Sequence, residues 1–326
     1  MAYTTIDDPS AYFQTTLYTG NGGTQSITNT GNSDMQPDWT WIKRRDSADN
    51  HNTFDSVRGA THRLITNLTN AQDTVTNMLT SFNSDGFSVG SHEGVNGSSM
   101  TYASWNWKKQ AGVFDIQTYT GNGSNRTISH NLGAVPTMMV TKVRSTTNQW
   151  LVYHKSMGNT ETMKWDDTSA ATTQSNLWNS TTPTSSVFSV GTHTGSNLDG
   201  GTFVIYLFGD KQGVSKMGSY TGNGNADGTF VYTGFKPAFV MTKRTDTTSD
   251  WYLSDNKRNG FNDDNHVFYA NESDAEKTVN RIDILSNGFK LRSTGSGVNA
   301  SGGSYIYMAF AENPFTSSAG TPVMAR

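Results

Sequence analysis

Cysteine is absent from the 326 residues of this chain. Its absence excludes disulfides, zinc–thiolate sites and thiol nucleophiles. Charge is also sparse, because Asp, Glu, Lys and Arg together make up 16% of the residues and the net charge is −3. The longest basic cluster, Lys43-Arg44-Arg45, is smaller than the basic footprint that nucleic-acid binding requires. We therefore expect no nucleic-acid partner.

Long apolar runs are missing as well. No run approaches the 18 residues that a membrane-spanning helix needs, so we expect no membrane insertion. The first ten residues have neither a basic stretch nor an apolar stretch, and they predict no signal peptide. These features indicate a chain that is made in a cytoplasm.

Catalytic motifs are scarce. Glutamate occurs five times, and no Gly-x-Ser-x-Gly nucleophile motif or paired-carboxylate motif is present. Asp55 and Asp255 occupy matching places in the chain, but His154 stands at the third such place. We interpret these as solvent-facing polar positions and expect no enzymatic activity.

Oxygen-rich loops offer one alternative for a cofactor. The loops Asp246–Asp250 and Asn262–Asn265 could supply calcium ligands, although ordinary polar turns have the same composition. We expect no cofactor, with Ca²⁺ as the alternative.

A repeat organises the sequence that is present. The pentapeptide Tyr-Thr-Gly-Asn-Gly occurs at Tyr18, Tyr119 and Tyr220, and each copy begins 101 residues after the one before. Equivalent phenylalanines follow at Phe87, Phe188 and Phe289, and each unit closes on an aromatic strand. The repeat predicts three domains of about 100 residues, 1–109, 110–211 and 212–326.

Strand signals dominate each unit. Short runs such as Phe203–Phe208 are rich in β-branched and aromatic residues, and Asn-Gly and Asp-Gly pairs punctuate them. No window sustains a helical apolar pattern over three turns. The pattern predicts an all-β chain of three tandem antiparallel β-sandwich domains. The pentapeptide itself is read as a turn that uses glycine at positive φ, with a ligand-binding loop as the alternative.

Tryptophan supplies the best hint of binding. The pairs Trp39/Trp41 and Trp105/Trp107 each point to one sheet face and are assigned to the core, with a sugar platform as the alternative. Trp165 and Trp178 lie in polar surroundings and are predicted to be exposed. We predict a ligand-binding site at Trp165, Trp178, Asp166 and Asn179, in which rings stack on a sugar and polar groups recognise its hydroxyls.

The linkers between units are only a few residues long, so adjacent units must touch. Two arrangements are open, a pseudo-threefold cluster that imitates a trimer or a rod with a constant step. The near-equal linkers favour a repeated step.

These motifs resemble those of marine bacteriophage structural proteins. The resemblance rests on the pentapeptide, the Pro-x-x-x-x-x-Lys run, Asp85-Gly-Phe-Ser-Val-Gly90 and the closing strand Tyr102-Ala-Ser-Trp-Asn-Trp-Lys108, and it covers nearly the whole chain. It implies concanavalin-like or laminin-G-like jelly-roll units and the role of a tail-fibre or other virion protein, with no catalytic motif. Expected partners are other virion proteins and a host-surface glycan, with several copies or a homo-oligomer per particle. The alternative is a capsid-decorating protein without a host ligand, because no tail-attachment or shaft pattern is visible.

Overall fold

The computed structural model describes residues 3–259, 262 and 264–323. The chain is 43% strand and 5% helix, and its sheets are antiparallel. This confirms the all-β prediction. None of the helices among the described residues is long and apolar enough to cross a membrane.

Three segments carry the strands, and we name them by the residues that their strands span: the first (13–107), the second (114–208) and the third (215–314). The first contains β1 (Phe13–Thr19), β2 (Gln25–Ile27), β3 (Trp39–Arg44), β4 (Asn52–Asp55), β5 (His62–Ile65), β6 (Asp73–Thr74), β7 (Leu79–Phe82), β8 (Phe87–Val89), α1 (Glu93–Asn96) and β9 (Thr101–Trp107), after a 3₁₀ helix at Pro9–Ala11. The second contains β10 (Phe114–Thr120), β11 (Arg126–Ser129), β12 (Met138–Val143), β13 (Leu151–His154), β14 (Glu161–Lys164), β15 (Thr172–Thr173), β16 (Val187–Val190), α2 (Thr194–Asn197) and β17 (Thr202–Phe208). The third contains β18 (Ser215–Thr221), β19 (Phe230–Tyr232), β20 (Phe235–Arg244), β21 (Trp251–Asp255), β22 (Asp264–Tyr269), β23 (Lys277–Leu285), β24 (Gly288–Leu291), α3 (Ser296–Asn299) and β25 (Ser304–Pro314).

The main sheets of the first two segments have the same strand order, β1-β9-β3-β4-β5-β6 and β10-β17-β12-β13-β14-β15. The third sheet begins in the same way and extends further, as β18-β25-β20-β21-β22-β23-β24-β19. Small sheets β2-β8-β7 and β11-β16 accompany the first two. The repeat in the sequence therefore corresponds to a repeat of strand order. Domain boundaries near Lys109 and Lys211 stay a prediction.

Both faces of each main sheet are buried. Along β17, Val204, Tyr206 and Phe208 point to one apolar core, and Ile205 and Leu207 point to another. Strand residues alternate between faces, so a strand that is buried on both sides reads as a continuous apolar run. One core lies within the segment, and it includes the predicted core phenylalanines, Phe87, Phe188 and Phe289, which are fully buried as expected.

The other core is shared by all three segments. Trp39 stacks on Trp107 of its own segment at 4.3 Å between ring centroids and on Tyr206 of the second segment at 4.6 Å. Phe13 stacks on Phe310 of the third segment at 5.1 Å. Aromatic packing of this kind stabilises beyond the area it buries. The tryptophan pairs that were assigned to the core are confirmed in that place.

Backbone hydrogen bonds close the three segments into a ring. Asn148 donates to Thr69 of the first segment and Ser249 donates to Thr168 of the second, each at 2.9 Å. Asp49 donates to Ser273 of the third segment at 2.8 Å, so the last segment also contacts the first. A rod of constant step leaves its two ends apart, so the favoured repeated step was wrong. The three segments form the pseudo-threefold cluster.

The three interfaces use equivalent positions with different chemistry. Tyr206 of the second segment donates to Asp55 of the first at 2.7 Å, and Asp55 pairs with Arg58. At the next interface around the ring, Trp105 donates to Asp255 at 3.0 Å. Asp55 and Asp255 are fully buried, so the prediction that they face solvent was wrong.

The third interface replaces this ionic group with neutral side chains. Strand register places His154 at the position of Asp55 and Met308 at the position of Tyr206. Met157 follows His154 by three residues, as Arg58 follows Asp55. Burial lowers the pKa of His154 to about 4, so its ring is neutral near pH 7. Both members of the Asp–Arg pair are replaced at this interface, so no buried charge is left without a partner.

Buried lysines fasten two of the three ring interfaces. Lys142 donates to Thr69 O of the first segment at 2.8 Å, and Lys243 donates to Thr168 O of the second at 2.9 Å. Burial lowers the pKa of Lys43, Lys142 and Lys243 from 10.5 to about 8. Between these values the folded chain holds fewer protons than the unfolded chain, so the free energy of unfolding rises with pH.

We expect urea denaturation to show this rise between about pH 8 and pH 10. Lys142→Met removes one of the three groups and should flatten the slope, whereas Lys109→Met, at an exposed position, should leave the slope unchanged. A free energy of unfolding that is constant or falls over this range would contradict the assignment.

The pentapeptide turns are structural. Gly22, Gly123 and Gly224 have positive φ, as the turn interpretation predicted. A fully buried asparagine of the nearby helix, Asn96 in the first segment, exchanges hydrogen bonds with Asn21 of the turn. Asn197 and Asn299 do the same in the other two segments. The repeated motif therefore fixes the end of each first strand.

Candidate functional site

The tryptophans that were predicted to bind a ligand are not accessible. Trp165 and Trp178 are each 1% exposed, so the prediction that they are exposed was wrong. Trp165 lies in the shared core against Trp41 and Trp251, and Trp178 lies in the local core against Tyr153. The two rings belong to different cores and form no common site.

The polar members of that predicted site also have structural partners. Asp166 accepts a hydrogen bond from the backbone N–H of Trp150 at 2.8 Å, and burial raises its pKa to about 6. Asn179 is a half-buried turn residue with φ of 51°. The polar character of this region reflects tight turns around buried rings.

The described Asp and Asn side chains of the two loops that were considered for calcium, 246–250 and 262–265, have hydrogen-bond partners within the chain. Asp246 accepts a hydrogen bond from Arg244 Nε at 2.7 Å, and Asp250 accepts one from Asn271 at 2.9 Å. Asn262 exchanges hydrogen bonds with the backbone of Ile284, and the rest of the loop to Asn265 lies outside the described side chains. Within the described part of the chain, no group of three or more His, Asp or Glu side chains is placed to hold a metal.

A cleft opens instead between the second and third segments. It has a volume of about 400 Å³ and is lined by Lys155 and Ser156 of the second segment and by β18, β19 and Tyr307 of the third. A neighbouring cleft of about 310 Å³ shares Ser156, Ser219 and Tyr220 with it. We name the first of these the β18–β19 cleft.

Exposed aromatic rings form one wall of this cleft. Phe230 is 44% exposed and Tyr232 is 48% exposed, while Val231 between them is buried. The strand register places Val231 opposite Phe289, just as Ile27 lies opposite Phe87 and Ile128 lies opposite Phe188. The residues that flank Ile27 and Ile128 are Ser26, Thr28, Thr127 and Ser129. Only the third segment therefore has rings where the other two have hydroxyls.

A lysine is also specific to this segment. Lys216 on β18 is equivalent to Gln14 on β1 and Asp115 on β10 in strand register. Gln14 and Asp115 are buried and hydrogen bonded within their own segments. The ammonium group of Lys216 instead lies 5.4 Å from the ring centroid of Tyr232. An ammonium group at this distance is attracted to the ring face.

The other cation in the cleft is already neutralised. Lys155 forms an ion pair with Asp210, whose carboxylate also accepts the Met217 N–H at 2.8 Å. This carboxylate therefore holds the turn of the second segment against the start of β18. Among the residues that the structure describes, Lys216 has no carboxylate within 4.0 Å, the limit for a salt bridge.

A glycine makes room for the floor of the cleft. Gly218 lies opposite Tyr307 in the β18–β25 ladder, and a Cβ at this glycine would stand 2.6 Å from the Tyr307 hydroxyl oxygen. The equivalent pairs in the other segments are Thr16 with Ser104 and Gln117 with Ile205. The bulky Tyr307 and the small Gly218 are thus matched, and they occur together only here.

The arrangement suits binding. Exposed rings bury apolar area when a ligand covers them, and the hydroxyls of Ser156 and Ser219 can exchange hydrogen bonds with polar groups of that ligand. Exposed rings beside convergent polar groups are typical of ligand sites.

The repeat contains a sequence signal for this site. Aligning Ser26-Ile27-Thr28, Thr127-Ile128-Ser129 and Phe230-Val231-Tyr232 within the repeat shows aromatic residues on both sides of a core position in the third unit alone. The polar composition around Trp165 and Trp178 did not predict the site, because composition does not show which face of a sheet is covered by the rest of the chain.

Comparison with known families gives one match. The chain belongs to the family described as Domain of unknown function (DUF7483), which matches residues 8–314. The matched range includes the main sheets of all three segments. No curated protein matches the chain.

Proposed function

We propose that this chain is a non-enzymatic structural protein of a bacteriophage particle, a tail-fibre or receptor-binding component that recognises a host-surface glycan through the β18–β19 cleft. The ring of three segments is a rigid support, and the cleft is its binding surface. The observation that carries the proposal is the pair of exposed rings, Phe230 and Tyr232, at positions where the other segments have serine and threonine.

The glycan part of the proposal follows from the chemistry of the cleft. A pyranose ring has apolar C–H faces and a rim of hydroxyls, so it pairs with an aromatic ring flanked by hydrogen-bonding groups. Phe230 and Tyr232 supply the rings, and Ser156, Ser219 and Lys216 supply polar contacts.

The particle part rests on the resemblance of the repeated motifs to those of marine bacteriophage structural proteins. We also propose that each segment is a jelly-roll sandwich of the concanavalin-like or laminin-G-like kind. Support comes from the local cores of the first two segments, which join residues of the main sheet to residues of the small sheet; Ile42 and Phe87 lie in one such core. Two sheets packed over a common core are the basis of a sandwich.

A capsid-decorating role is the second candidate, and the ring favours it in one respect. A pseudo-threefold chain presents three equivalent surfaces, which suits a threefold axis on a symmetric shell. Immunogold labelling of virions distinguishes the two roles, because label on the tail tip supports the first and label over the head supports the second.

The binding test replaces the two rings with the residues of the first segment, Phe230→Ser and Tyr232→Thr. Both rings are about half exposed, so we expect the fold to persist and binding to host polysaccharide to fall by at least about tenfold. Binding would be measured by calorimetry and by adsorption to host cells.

The matched control is Val135→Ser, which changes another side chain of 48% exposure on the second segment. It should bind as the parent chain does. Equal binding by the double variant and the parent would exclude the β18–β19 cleft as the glycan site.

A further inference from the structure

We propose that the β18–β19 cleft selects an acidic saccharide, one that carries a carboxylate, and that Lys216 is the residue that recognises the charge. This inference rests on the proposed function, since it names the ligand class of the same site.

Lys216 is the lysine of the cleft whose charge is available to a ligand. Two lysines line the cleft, and Lys155 forms an ion pair with Asp210. Lys216 lies over the ring of Tyr232, and among the described residues no carboxylate lies within salt-bridge distance of it. An ammonium group beside an aromatic face keeps its charge and its donors available to a ligand.

The lysine at position 216 is specific to the third segment. Positions equivalent to Lys216 carry a neutral side chain in the first segment and an acidic one in the second, and both are buried by their own segments. A cation therefore occurs at this position only where exposed rings also occur. The coincidence of Lys216 with Phe230 and Tyr232 defines one site with two chemical requirements, an apolar face and a negative charge.

The whole chain has a net charge of −3, so it repels anionic polymers at long range. An acidic saccharide would thus be held by a local contact, and its binding should weaken as salt is added. A neutral saccharide would show no such dependence.

The experiment compares a short oligomer of galacturonic acid with the matching oligomer of galactose, which lacks the carboxylates. We expect the intact chain to bind the acidic oligomer at least about tenfold more tightly, because hydrogen bonds to charged groups are stronger than neutral ones. Lys216→Met should remove this preference, and Lys216→Arg should restore most of it.

Lys257→Met serves as the control, because Lys257 is an exposed lysine of the third segment that does not line the β18–β19 cleft. It should keep the preference for the acidic oligomer. Equal affinity for the two oligomers, with loss of both in the Phe230→Ser, Tyr232→Thr variant, would overturn the acidic preference and leave the glycan site in place. Binding of neither oligomer, together with no binding of host polysaccharide, would overturn the inference and the proposed function together.

Discussion

Replacing Asp55 with asparagine should destabilise the chain by about 3–5 kcal/mol, because it leaves the buried Arg58 guanidinium without its carboxylate. Both side chains are fully buried, so water cannot solvate the remaining charge. The same change weakens the hydrogen bond that Tyr206 donates across the interface between the first and second segments. Urea denaturation measures the loss of unfolding free energy.

Asp46→Asn is the matched control in the same segment. Asp46 pairs with Arg44 at the surface, where an ion pair contributes at most about 1 kcal/mol. A loss of the same size for both variants would mean that burial does not set the strength of the Asp55 pair.

A triple variant tests whether the charges are needed at all. Asp55→His, Arg58→Met and Tyr206→Met copy the neutral group that the chain uses at its third interface. Removing both charges of a buried pair costs far less than removing one, so the triple variant should recover most of the stability lost in Asp55→Asn. A triple variant less stable than Asp55→Asn would show that the two interfaces are not interchangeable.

A fragment of residues 1–109 should not fold as a monomer. Its sheet would expose Trp39, Trp41, Trp105 and Trp107, which are at most 1% exposed in the whole chain. Burial of a large apolar side chain contributes about 1.5–3 kcal/mol. Four such rings account for a free energy that matches the whole stability of a typical domain, about 5–15 kcal/mol.

Size-exclusion chromatography and circular dichroism test this expectation. An unfolded chain, or a folded assembly of three copies that rebuilds the shared core, would agree with the ring. A monomeric fragment with a cooperative unfolding transition would contradict it, because the first segment would then be stable without its neighbours. The intact chain should unfold in one transition, since its three segments share one core.

Much of the fold follows from local patterns in the sequence. The 101-residue register identified equivalent turns and equivalent buried rings, and Phe87, Phe188 and Phe289 are buried as it predicted. The turns could be predicted because glycine adopts positive φ readily, and this preference is a local property of the sequence. These features are local, so one sequence is enough to predict them.

The predicted site failed for a reason that local patterns cannot supply. Trp165 and Trp178 sit among Asn, Asp and Thr in the chain, but the rings turn inward and the polar residues make the turns around them. Asp55 and Asp255 failed in the same way, because their partners Tyr206 and Trp105 are about 150 residues away in the sequence. A polar residue in a polar stretch is predicted to be exposed unless its partner, far away in the sequence, is known.

The sequence by itself determined that the chain is all-β and that it repeats one pattern three times, because strand, turn and register depend on neighbouring residues. Only the tertiary structure decided that the units close into a ring. It also decided that the inner face of each main sheet is core and that Lys216, Phe230 and Tyr232 meet at one cleft. Both outcomes depend on contacts between residues far apart in the chain, and the free energy of burial, which belongs to the whole assembly, selects them.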